Sequence, residues 1–146
     1  MREVENIGVV AHIIQLAVAP AFLLTAIGAL LNVMTNRLSR VIDRARILEK
    51  RLEGASLEER ETLHADLLLL SKRAKLVGMS ITLCTATALF ICSVIAILFL
   101  GNFISFDISN PVALLFIMGM LSLIVGLLIF LREIYIGTKR LTIGSQ

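Results

Sequence analysis

The chain is poor in charge, cysteine, proline and glycine, and each shortage removes a class of protein. Charged residues make up 17% of its 146 residues, against about 25% in an ordinary soluble domain. So little charge excludes a disordered chain, which depends on high polarity to stay solvated. Two cysteines are too few to staple a small secreted domain. Two prolines and nine glycines exclude a collagen-like repeat. What the chain has in excess is apolar surface: 58% hydrophobic residues and a mean hydropathy of +0.92. A soluble core of this length cannot hide that much, which points to a bilayer as solvent.

The charges fall in blocks. Between Asn6 and Asn36 there is none, apart from the titratable His12, and 76–106 and 108–131 are also uncharged. Arg37 to Lys75 holds 10 Lys/Arg and 7 Asp/Glu. A spanning helix needs about 20 apolar residues, so the three gaps predict three transmembrane helices over about 8–34, 77–100 and 111–131. The chain then reads as all-α, a single membrane domain over 1–146. Pro111 suits a first helical turn, where its missing N–H would be unpaired anyway. Pro20 lies inside span one and predicts a kink.

Of the 14 Lys/Arg, only Arg2 falls in the N-terminus or the 101–110 loop. The positive-inside rule therefore predicts the N-terminus outside, and both the 37–75 segment and the 132–146 tail in the cytoplasm. Neither a cleaved signal peptide nor a dual-topology dimer is expected. The topology has a direct test. In a background lacking Cys84 and Cys92, Asp107→Cys should react with an impermeant thiol reagent on intact cells and Glu58→Cys should not. Equal labelling would sink the three-span, N-out arrangement.

The 37–75 segment predicts a cytoplasmic antiparallel helical hairpin that extends spans one and two. Leu38, Ala45, Leu48 and Leu52, joined by Val41, share one face of its first arm. Leu63, Leu67, Leu70 and Ala74 step by four and three along the second, a coiled-coil period. Gly54 is expected to end the first arm in the left-handed conformation. Ser56-Leu57-Glu58-Glu59 has the S-x-x-E form of a capping box. The projection would be about 25 Å, and it offers a stalk or a docking surface for a cytoplasmic protein.

Span one also carries polar residues. At about 100° per residue, Gln15, Thr25, Asn32 and Asn36 lie within one arc of about 100°, roughly opposite the hairpin seam. That face must meet span three, another subunit or water, as a packing interface or as the lining of a pore. Beyond it, Arg37, Arg40 and Arg44 form a basic stripe. It could hold anionic lipid headgroups, or in an oligomer make rings that favour anions. In span three, Gly119, Ser122 and Gly126 form a small-residue stripe suited to close helix approach.

Catalytic chemistry finds no support. The predicted spans contain no Asp or Glu for a proton relay, and no GxxxxGK phosphate loop occurs. Cys84 and Cys92 would stand about 12 Å apart on one helix, too far for a disulfide, and no third soft ligand is near them. No enzyme, cofactor, metal site or nucleic-acid partner is expected. The partners expected are the lipid bilayer, anionic headgroups, further copies of the chain and a cytoplasmic protein. Two functions follow: a homo-oligomeric pore or channel lined by span one, or a non-conducting adaptor or scaffold that docks a partner through the hairpin.

Three stretches carry a family resemblance. APAFLLTAIGALLNVMTNRLSRVIDRAR (Ala19 to Arg46), LSKRAKLVGMSITLCTATALFICSVIAILFLG and IFLREIYIGTKRL resemble a family of small bacterial membrane proteins of unknown function, the domain-of-unknown-function family number twenty-seven twenty-one. The resemblance covers nearly the whole chain. It implies a multi-pass protein of the bacterial inner (cytoplasmic) membrane and supplies no catalytic residues.

Overall fold

The computed structural model describes the backbone of residues 2–101 and 109–139, and the side chains of 7–101 and 109–138. Asp107 and the chain beyond Lys139 lie outside the described residues. Three α-helices follow one another: α1 (Arg2–Leu52), α2 (Leu57–Leu100) and α3 (Ser109–Lys139), with no strand among the described residues. Each is long and apolar enough to cross a membrane, and each contains one of the predicted spans.

Length separates what crosses from what projects. The 51 residues of α1 extend about 75 Å and the 44 of α2 about 66 Å, whereas the hydrocarbon core is only about 30 Å thick. The charged part of each helix, between Arg37 and Lys75, is the part that must leave the hydrocarbon. The hairpin arms are therefore unbroken continuations of two spans. α1 stays a single helix through Pro20, which is buried. Pro111 lies in the first turn of α3, where an N–H needs no intrahelical partner. α3 continues past the apolar stretch to Lys139, so Arg132 and Glu133 are helical.

The turn between α1 and α2 differs from expectation at one residue. No described glycine has a positive φ, so Gly54 does not adopt the left-handed conformation. Instead the Gly54 N–H donates to the Arg51 carbonyl (3.3 Å) and the Ala55 N–H to the Leu52 carbonyl (3.5 Å). These i to i−3 bonds tighten the last turn and satisfy two carbonyls that a left-handed cap would otherwise serve. Half of the capping box forms: Glu59 Oε2 accepts from the Ser56 N–H and, in place of the usual backbone bond, from the Ser56 hydroxyl, both at 3.2 Å. Lys50 and Arg51 at the end of α1, with Glu58 and Glu59 at the start of α2, also suit the helix dipoles.

The chain divides into two compact units, Met1–Leu30 with Cys84–Ile124, and Leu31–Leu83 with Val125–Gln146. In the first, Ile27, Cys84, Thr87, Ile91 and Val94 are buried. The Thr87 hydroxyl donates to the Gly119 carbonyl at 3.1 Å. A Cβ on Gly119 would stand 3.3 Å from the Phe90 Cβ, so α2 and α3 run close here and a side chain would crowd them. Large apolar side chains such as Phe22, Leu89 and Leu114 point outward, as a lipid solvent allows.

In the second unit, Met34, Val41, Leu70, Val77, Ser80 and Glu133 are buried. The hairpin seam belongs to this unit. Val41 and Leu70 are buried, while Leu38, Ala45, Leu48, Leu52, Leu63, Leu67 and Ala74 are half-buried. Leu68, beside them in sequence, is 67% exposed.

Candidate functional site: a buried carboxylate held by two arginines

All three helices meet in the second unit around Glu133. This residue stands on α3, two positions beyond the uncharged stretch that ends at Leu131, and its relative exposure is 0%. A bare carboxylate at such a place would be costly to desolvate. It is compensated from both neighbouring helices. Arg73 of α2 donates from Nε (3.0 Å) and Nη2 (2.7 Å) to Oε1. Arg37 of α1 donates from Nη1 to Oε2 at 3.2 Å. Arg37 also lies over the Phe130 ring, 5.6 Å from its centroid, a distance at which a cation is attracted to the ring face.

Gly137 makes room for this arrangement. It lies one turn after Glu133, on the same face of α3. A Cβ there would fall 2.6 Å from Arg73 Nη2 and 3.1 Å from its Cζ. The guanidinium cannot retreat without giving up its 2.7 Å bond. The pair and the glycine thus form one device: the carboxylate fixes the fork, and the absent side chain leaves space for it.

The two arginines are not equally committed. The Arg73 side chain is 23% exposed and that of Arg37 42%, and Arg37 makes the single, longer contact. Both face an open groove of about 370 Å³, shared with Arg40, Arg44, Gly137 and Thr138. Four arginines and one glutamate leave that groove with a net charge of +3.

Of the predicted site residues, the basic stripe Arg37, Arg40 and Arg44 comes together on one wall of this groove. Gln15, Thr25, Asn32 and Asn36 are all exposed on α1, so α3 does not cover them. Asn36 Nδ2 donates to Asn32 Oδ1 at 3.4 Å, and the Thr25 hydroxyl to the Ala21 carbonyl at 3.4 Å. Cys84 is buried and Cys92 exposed, and the two are not joined in a disulfide. Among the described residues no group of three His, Cys, Asp or Glu comes together.

The sequence reading missed Arg73, Glu133 and Gly137. The stretch IFLREIYIG carries the trace of it: an acid two residues beyond a long apolar run, followed four residues later by glycine.

A family model described as "Protein of unknown function (DUF2721)" matches residues 17–143. The chain belongs to this family. No curated protein and no solved structure matches it. The DUF2721 match takes in Arg37, Arg73, Glu133 and Gly137 together with the hairpin, so the buried device lies wholly within the family's extent. With three apolar helices, this DUF2721 member is a small multi-pass membrane protein.

Proposed function

We propose that this chain works as a homo-oligomeric pore of the bacterial inner membrane, with the polar face of α1 turned toward the inter-subunit space. One observation carries the reading: Asn32 and Asn36 are exposed on the protomer, although they end an apolar, otherwise lipid-facing span. Polar side chains at such depths almost always face protein or a water-filled cavity. Asn36 adjoins the hydrocarbon boundary at Arg37 and Asn32 lies one turn deeper; in this reading another subunit, or the water it encloses, covers the pair. Gln15 and Thr25, also exposed on α1, extend the same supply of polar groups. Three helices alone enclose too little space for a water path, so conduction requires several copies.

The test has two stages. In lipid nanodiscs, single-molecule photobleaching should count more than one subunit; a monomer would end this reading. In proteoliposomes of the verified oligomer, ion flux should exceed the empty-vesicle background, and Asn32→Leu should reduce it by removing a polar lining group. If no flux of either sign appears across the voltages applied, the adaptor reading takes over. That second reading draws on Ile47 and Leu68 of the hairpin, 56% and 67% exposed, which offer a partner protein an apolar foothold on an otherwise charged surface.

A further inference from the structure

We propose that the arginine groove of the second unit is a binding site for the phosphate of an anionic phospholipid, with one acyl chain laid along α3. The charge comes first. Arg40 and Arg44 are exposed and line the groove, and neither has an ion-pair or hydrogen-bond partner among the described residues. Each therefore keeps all five N–H donors for a ligand. Arg37 and Arg73 spend only part of theirs on Glu133, and that carboxylate holds both guanidiniums in place. A phosphate would meet two free and two pre-positioned forks, the geometry in which arginine binds phosphate oxygens best.

The depth also fits a lipid. Arg37 directly follows the first uncharged stretch and Glu133 closely follows the last, which sets the groove at the boundary of the hydrocarbon. Val41, Leu70 and Ile134 supply apolar wall beside the arginines. Beside it, Leu128, Leu131, Ile134 and Tyr135 form a shallow, largely apolar strip along α3, with Arg132 and Thr138 among its residues and Ile134 and Thr138 shared with the groove. Tyr135, 66% exposed, stands at headgroup level as interfacial aromatics do. A charged cradle beside an apolar strip matches a phospholipid and not a free anion, which has no use for the strip.

The experiment uses the full chain, delipidated in neutral detergent, with bound lipid counted by native mass spectrometry. Dioleoylphosphatidylglycerol should bind in preference to dioleoylphosphatidylcholine. Arg40→Gln with Arg44→Gln should weaken phosphatidylglycerol binding about tenfold, and Arg44→Gln alone about threefold; an arginine near an anionic surface is worth up to about fivefold. Arg46→Gln with Arg51→Gln removes the same charge from exposed hairpin positions outside the groove and should leave binding unchanged. Neither pair touches the Glu133 contacts, and equal melting temperatures would show that both variants fold. Equal binding of the two lipids would overturn the proposal, as would an equal loss in both double variants. Displacement of phosphatidylglycerol by equimolar sodium phosphate would assign the groove to soluble phosphate and overturn the lipid reading.

Discussion

Glu133→Ala should destabilise the purified chain by about 1.5–3 kcal/mol, the range for losing hydrogen bonds to a charged group. The two arginines left behind are 23% and 42% exposed. Water in the groove therefore solvates them in part, and the loss stays below that of a fully buried pair. Reversible unfolding in mixed detergent, followed by circular dichroism, measures it. Arg132→Ala, at the exposed neighbour, is the control and should stay within about 0.5 kcal/mol of wild type. Arg73→Ala should cost more than Arg37→Ala, since Arg73 makes two contacts at 3.0 and 2.7 Å against one at 3.2 Å. Gly137→Leu should act in the same direction by expelling the Arg73 guanidinium. Combined with Arg73→Ala it should be less than additive, because both changes remove the same contact. If Glu133→Ala unfolded like Arg132→Ala, the carboxylate would contribute nothing to holding the three helices together.

The second large effect is expected in the hairpin. Leu67→Asp with Leu70→Asp should cost about 4–6 kcal/mol. Leu70 is 6% exposed, so its replacement forfeits about 2 kcal/mol of apolar burial and adds the penalty of an unpaired polar group in the seam. Leu68→Asp introduces the same chemistry between them at a position 67% exposed and should shift stability by no more than about 0.5 kcal/mol. The spans carry no part of this change, so both proteins should still insert. Native gels and thermal melts separate them: the double variant should lose its assembled form and the single one keep it. Matching melts for the two would place the seam elsewhere on the hairpin.

Particular residues show why some of this was legible in advance. The three helices follow from uncharged runs longer than a bilayer requires, a property of composition that needs no knowledge of neighbours. Ser56 and Glu59 are three residues apart, and their capping contact forms as the local pattern predicts. Leu38 to Leu52 on α1, and Leu63 to Ala74 on α2, each fall on one face of their own helix by simple arithmetic. Gly54 was misread because a glycine after a helix fits two endings. The choice between a left-handed cap and a tightened turn depends on how the next helix must leave.

The pairing of Glu133 was hidden for a different reason. Its partners lie 60 and 96 residues away along the chain, and by position alone a charge just past an apolar run reads as the start of a solvated tail. Hydropathy assigns each segment to lipid or water, residue by residue, and it is blind to the rotation of one helix against the next. That rotation brings Arg37, Arg73 and Glu133 face to face, opens the space over Gly137 and leaves Asn32 and Asn36 uncovered. It is set by side-chain fit within the second unit, with the buried Met34 and Val77 among its terms. Number, length and ends of the helices are local matters and can be read from the chain. Which polar groups pair, and which are left for another molecule, is settled only when all three helices are packed.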